Sequence, residues 1–325
     1  MSYADQLFVS MCEDIINNGT DTQGEKVRPK WEDGTPAYTI KKFGVVNRYD
    51  LRKEFPALTL RKTALKSCMD EILWIYQRKS NNIKDLKPHI WDEWADENGS
   101  IGKAYGYQIG KKYIHHTKSF DSFGDRNDYI DSIRKNKTTE FQSISYSSDD
   151  IHNDIGTKYN VYLKLDQIDA VIYDLKHNPY SRRIMTNIYN FEELHEMNLY
   201  PCAYSMTFNV TNENGVLTLN AILNQRSQDV LAANNWNVCQ YAILLMMIAQ
   251  VCDMEAGELV HVIADAHLYS RHVEIIKELI TREQYPAPKV RLNPDIKNFY
   301  DFTTDDLIVE DYIAGEQVKN IPIAI

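Results

Sequence analysis

Three observations predict an α+β fold with a mixed or antiparallel sheet flanked by helices. "YSMTFNV" and "LTLNAILNQRS" alternate with period two across "TNENGV", which makes 204–227 a β-hairpin. Apolar residues at helical spacing recur in separate segments between the strand-like ones. The two kinds of segment interleave without a strict βαβ rhythm, and the chain has no internal repeat and no glycine-rich phosphate loop.

In chain order, residues 3–18 carry helical spacing and stop at "NNG". "RKTALKSCMDEILWIYQRKS" (61–80) reads as a helix with Leu65, Cys68, Met69, Ile72 and Tyr76 on one face. From 115 to about 160 the texture becomes polar, rich in Ser and Asp and weakly periodic. That stretch is expected to be an inserted surface subdomain or mobile loop within one catalytic domain spanning 1–325. Helices are expected at 165–178, 238–252 and 267–283, with a strand at 258–265 and short strands at "KVRL" and "DLIVEDY" before the terminal "NIPIAI".

Composition narrows the function. A formal net charge of −10 argues against a general electrostatic grip on nucleic acid, so binding of the chain's own message has no support here. An anionic ligand then needs a local arginine cluster. The five cysteines are scattered without metal-ligand spacing, which suggests a reducing compartment and no metal. The N-terminal stretch mixes acids into its apolar positions. The longest apolar run, 241–249, is far short of a membrane span, so a soluble cytoplasmic protein is expected.

Several residues can carry chemistry. Cys202, one step past a proline at the hairpin's start, is either a buried inert thiol or a nucleophile. The hairpin brings "QRSQD" back towards it, so Arg226 is within reach to support a thiolate. Gln225, Arg226, Ser227 and Asp229 form a polar cluster suited to an anion or an amide edge. Arg182 and Arg183 are either plain surface charge or a phosphate clamp. Glu71 lies on a largely apolar helix face, so it is either arginine-paired or functional. Asp265 reads as an N-cap with His267 and Tyr269 at a helix start, and a Cys202–His267 pair would suit a cysteine hydrolase. Asn237, just before a helix, caps it or reads a pyrimidine edge, and Trp91 is core or a flat wall for a heterocycle.

Taken together, "EILWIYQ", "IWDEWADENGSIGKAYGYQ", "NPYSRR", "YPCAYSM", "QRSQD", "AQVCDMEAGELVHVIADAHLYSRH" and "IPIAI" resemble the thymidylate synthase family in order and spacing, over most of the chain outside 115–160. The resemblance implies a methyltransferase that converts dUMP to dTMP, with 5,10-methylenetetrahydrofolate as one-carbon donor and reductant and no metal. In that chemistry the Cys202 thiolate adds to uracil C6, C5 attacks the folate's methylene carbon, and loss of the C5 proton followed by hydride transfer gives dTMP and dihydrofolate. The same resemblance implies roles for particular residues. Cys202, Glu71, Tyr105, Arg226 and Asn237 are catalytic. Arg28, Arg182, Arg183, Gln225, Arg226, Ser227, Asp229, Asn237, His267 and Tyr269 hold dUMP. Trp91, Asp229, Trp236, Ala324 and Ile325 hold the folate. It also implies a homodimer packed through one sheet face, with Arg182 and Arg183 given to the partner's site.

Three places depart from the pattern: Ala203 stands where many members have histidine, "LAANNWN" replaces "LGxPFN", and Arg28 sits in "VRPKWEDGT". A hydroxymethylase, in which water captures the methylene intermediate, is the nearest alternative. A cysteine hydrolase and a non-catalytic regulatory protein are the others.

Overall fold

A computed structural model of the chain describes residues 1–136, 141–154 and 156–324. Helix α1 (Tyr3–Asn18) starts at Ser2, whose hydroxyl accepts the Asp5 N–H at 3.1 Å as an N-cap. Strands β1 (Thr20–Asp21) and β2 (Thr39–Asp50) follow, then α2 (Leu65–Ile72), which runs on as a π-helical turn over Leu73–Gln77. A short α3 (Gly106–Gly110) leads to β3 (Tyr113–Phe120), α4 (Phe123–Asn136), β4 (Ser145–Asn153) and β5 (Gly156–Leu165). After α5 (Gln167–His177) come β6 (Met185–Asn187), β7 (Ala203–Glu213), β8 (Val216–Gln225) and β9 (Gln228–Asp229). The chain closes with α6 (Asn234–Val251), β10 (Glu255–Tyr269), α7 (Val273–Leu279), β11 (Lys289–Leu292) and β12 (Leu307–Glu310).

The main sheet has the order β1-β2-β10-β8-β7-β6, with β9 beside β10. It is mixed: β10 runs parallel to β8 and β9, and the other pairs are antiparallel. The β7–β8 hairpin turns at Asn214 and Gly215, both at positive φ (55° and 89°), as a two-residue turn of matching twist requires. That turn sets the register that pairs Ala203 with Gln225 and so brings Cys202 beside Arg226. Helix α6, buried along most of its length, packs on the inner sheet face and against α2.

Several boundaries differ from expectation. The helix expected at 61–80 begins only at Leu65, because the preceding backbone donors are already taken. Asp5 Oδ1 accepts the N–H groups of Thr59 (2.8 Å) and Leu60 (3.3 Å), and the Tyr312 hydroxyl accepts that of Thr63. The strand expected at 258–265 extends to Tyr269, because β2 pairs with it from Glu258 to Tyr269. Asp265 is therefore a strand residue and not an N-cap, and the following helix starts at Val273 rather than at 267. Helix α6 begins at Asn234, which places Asn237 inside its first turns rather than before them. The polar stretch from 115 to 160 forms the three-stranded sheet β3-β5-β4 with α4, around buried Ile130, Ile133, Val161 and Leu163.

Asn235 ties the 56–63 segment to α6. Its Oδ1 accepts from Leu58 N (3.1 Å) and Thr63 Oγ1 (2.6 Å), and its Nδ2 donates to the Pro56 carbonyl (2.9 Å). Asn235→Ala leaves these buried groups unpaired. It is expected to cost about 2–4 kcal/mol, read as a lower urea midpoint at unchanged m-value.

Candidate active site

Cys202 stands at the start of β7, only partly exposed. The Arg226 guanidinium donates to the carbonyls of Pro201 (2.9 Å) and Tyr200 (2.7 Å), which fixes the turn carrying the cysteine. It also lies 3.6 Å from Sγ. Burial pushes the Cys202 thiol above its ordinary value, while Arg226 and the exposed Arg28 pull the other way without overcoming it. The thiol is thus held beside positive charge but is not a standing thiolate in the free protein.

A cluster of amides lies at the start of α6. Asn237 Oδ1 accepts from Gln225 Nε2 at 3.2 Å and from Gln228 Nε2 at 3.5 Å, and its Nδ2 donates to Gln240 Oε1 at 3.0 Å. Gln225 Nε2 also donates to the Ser227 carbonyl (3.1 Å), which fixes which end of that amide is nitrogen. Gln225 Oε1 must then accept from Nε2–H of His261 (2.8 Å), a fully buried imidazole whose pKa burial drives down to about 3. A neutral histidine therefore anchors a chain of amides that runs through Asn237 to Gln240, and of the two readings of Asn237 the helix cap is not the one formed.

Glu71 is not paired with arginine. Its Oε1 accepts from Trp91 Nε1 (2.8 Å) and its Oε2 from Trp236 Nε1 (2.6 Å), and no ion pair reaches it among the described residues. Burial raises its pKa to about 7, against the pull of the two indoles. Trp91 is buried, with its ring against Trp74, Trp94 and Tyr105 at centroid distances of 5.9, 5.7 and 4.7 Å. Tyr105 has a strained backbone (φ 45°, ψ −105°), and its hydroxyl accepts from the Cys202 N–H at 3.5 Å. The next residue is necessarily small, since a Cβ on Gly106 would stand 2.2 Å from the Ser80 carbonyl oxygen. Burial pushes the Tyr105 phenol well up, so a phenolate is disfavoured there.

At the other end of the site, β9 brings Asp229 beside His267 on β10. The His267 imidazole is held by Asp265 (Nδ1 to Oδ1, 2.7 Å), and Cys202 meets Tyr105, the Tyr200 carbonyl and Arg226 rather than His267 among the described residues, so the thiol–imidazole pair of a cysteine hydrolase is not formed. Tyr269 packs edge-on against His267 (5.1 Å), Trp31 (5.5 Å) and His272 (5.5 Å). Asp229 accepts the Ala232 N–H at 3.0 Å and lies 3.5 Å from His272 Nδ1. Burial opposes its ionisation, but these donors hold its carboxyl below the usual range. The C-terminal tail reaches this corner: His272 Nε2 donates to the Pro322 carbonyl (2.8 Å), and Ala324 pairs with Trp31. Ile325 lies outside the described residues. Ser227, next in sequence to Arg226, is half-buried.

Arg182 and Arg183 are exposed before β6 and make no hydrogen bond or ion pair with the residues around Cys202. Sequence reasoning missed Gln228, Gln240, His261, His272 and Trp31. Four of them lie inside stretches quoted above, but their partners come only from strand pairing or helix phase, which those stretches do not reveal.

A family model described as "Thymidylate synthase" matches residues 6–324. Thymidylate synthase of Bacillus licheniformis is 39% identical over 322 residues, covering 98% of each chain. Thymidylate synthase 1 of Bacillus subtilis (strain 168) is 37% identical over the same length and coverage. The solved structure of thermostable thymidylate synthase A from Bacillus subtilis superimposes with a TM-score of 0.78 at 36% identity, covering 99% of both chains.

Proposed function

The chain belongs to the thymidylate synthase family, and from that premise we propose that Cys202 is its nucleophile and that the groups around it hold and activate dUMP. The activity is that of a methyltransferase: reductive methylation of dUMP to dTMP, with 5,10-methylenetetrahydrofolate as co-substrate supplying both the one-carbon unit and the hydride and leaving as dihydrofolate. The hydroxymethylase alternative has no support among these relatives.

The observation that carries the assignment is the convergence of Arg226 on Cys202 Sγ at 3.6 Å, with the Asn237 amide held by Gln225 from the same strand end. In this reading Arg226, Ser227 and Arg28 take the phosphate. Asn237 offers N–H to uracil O4 and Oδ1 to the N3–H, which stabilises charge developing on O4. His267 and Tyr269 meet the deoxyribose. Tyr105, as a neutral phenol, holds the water that removes the C5 proton, and Glu71 orders the proton movements near O4. Trp91, Trp236, Asp229 and the tail through Ala324 and Ile325 line the folate side, where closure of the tail excludes water.

The chain acts as one catalytic domain, to which β3, α4, β4 and β5 are appended. The outer sheet face favours a homodimer, because Phe43 is 91% exposed and Val46, Ile222 and Met185 are also open there. Arg182 and Arg183, whose side chains meet no partner among the described residues, are left to reach the partner's phosphate. The five free cysteines fit a cytoplasmic setting.

A 5-fluoro analogue of dUMP tests the site, because its C5 fluorine cannot leave as a proton. Incubated with 5,10-methylenetetrahydrofolate, the wild type is expected to retain nucleotide and folate mass together on the peptide containing Cys202. Label on another cysteine, or on none, overturns the assignment.

A further inference from the structure

We propose that Trp236 and Gln240 are positioning residues for Glu71, so that the first turns of α6 hold the buried acid as well as the amide that reads the base. The inference rests on the role given above to Glu71. Residues 236 and 240 are one helical turn apart and share a face. From that face Trp236 Nε1 donates to Glu71 Oε2 at 2.6 Å, while Trp91 serves Oε1 at 2.8 Å from a separate segment. Gln240 is 2% exposed. Its Oε1 accepts from Asn237 Nδ2 at 3.0 Å, and its buried Nε2 has no hydrogen-bond partner among the described residues, yet the amide pulls the pKa of the Glu71 carboxyl down. The amide that reads the base is thus hydrogen-bonded to Gln240, whose unpartnered N–H group lies on the same helix face as the indole that holds the acid.

The donors to Glu71 are all neutral. Its titratable neighbours are Asp70 and Cys68 on its own helix, Tyr105 before α3, and Tyr241 on α6. None of these brings positive charge, so the orientation and ionisation of the carboxylate depend on uncharged N–H groups. Trp236→Phe keeps an aromatic ring at this place and removes only the indole N–H that the carboxyl accepts.

The test uses indole ¹⁵N NMR of the free protein, which has five tryptophans, assigned by single replacements. The Trp91 and Trp236 N–H signals are expected to titrate together with a midpoint of about 7 and to lose that titration in Glu71→Gln. In Trp236→Phe the Trp91 signal is expected to titrate roughly half to one pH unit higher, with a smaller rise in Gln240→Leu. The kcat of Trp236→Phe at pH 7, relative to pH 9, is expected to fall about twofold to fivefold. A Trp91 midpoint unchanged in both folded variants, with only the folate KM raised, makes Trp236 a pocket wall and overturns the proposal. If the indoles titrate as expected but Glu71→Gln keeps full activity, the positioning stands and the catalytic role of Glu71 falls.

Discussion

Cys202→Ser is expected to lower kcat by roughly 10³-fold or more while leaving dUMP binding within about threefold of wild type. The serine hydroxyl fits the same space beside Arg226 but ionises far less readily than a thiol, and the guanidinium at 3.6 Å from Sγ offers too little stabilisation to close that gap. The binding half of the expectation follows from geometry. The Arg226 side chain is anchored on the Tyr200 and Pro201 carbonyls, so the phosphate donors stay in place when sulfur is removed. Product analysis by mass, with binding measured by calorimetry, separates the two effects. A variant that binds normally and still makes dTMP at a tenth of the wild-type rate would remove Cys202 from the nucleophile's role.

The same geometry constrains how the thiol behaves before substrate arrives. Burial raises its pKa despite Arg226 and Arg28, so alkylation of Cys202 in the free protein is expected to be slow near neutrality and to accelerate as pH rises past 9. Reactivity then comes from placement against uracil C6 rather than from a permanently ionised sulfur.

The legible part of the site is the part fixed by short-range pattern. Period-two alternation and the Asn214–Gly215 turn set the hairpin register, and that register alone places Arg226 on Cys202. The spacing of α2 likewise marks Glu71 as an acid on an apolar face. Its partners, 20 and 165 residues away, carry no local mark, and an arginine pair was the natural expectation. Strand β2 has no element in the sequence reading, because "TIKKFGVVNRYD" sets two lysines side by side and turns Phe43 and Val46 to the outer face. Without β2, nothing in "ELVHVIADAHLY" carries the strand past residue 265. On sequence alone His267 and Tyr269 therefore fall at a helix start, whereas pairing puts them on a ladder beside Asp229. In β3–β5 the outward residues are polar enough to mask the small core built on Val161 and Leu163.

Glu71→Gln is expected to move activity and stability in opposite directions. Activity should fall by roughly 10²-fold or more, because an amide cannot cycle a proton at this position. Stability should rise at alkaline pH, and the sign follows from the carboxyl's raised pKa. In the unfolded chain the group ionises near 4.5 and in the folded protein near 7, so the folded state resists a deprotonation that the unfolded state accepts. Wild type is therefore unpenalised below pH 4.5, loses stability as pH climbs to 7, and carries a constant penalty above it. At about 1.4 kcal/mol per unit the penalty is about 3.5 kcal/mol. Glutamine avoids it but places an NH₂ against one of two indole N–H groups, which returns about 1 kcal/mol or more. The net gain expected at pH 8 is about 1–2 kcal/mol, and at pH 4.5 it should vanish or reverse. Urea unfolding at the two pH values reads the difference directly. A gap between wild type and variant that does not depend on pH would mean that the carboxyl ionises in the fold as it does in the open chain. Glu71 would then lack the near-neutral pKa that suits a group passing protons at physiological pH.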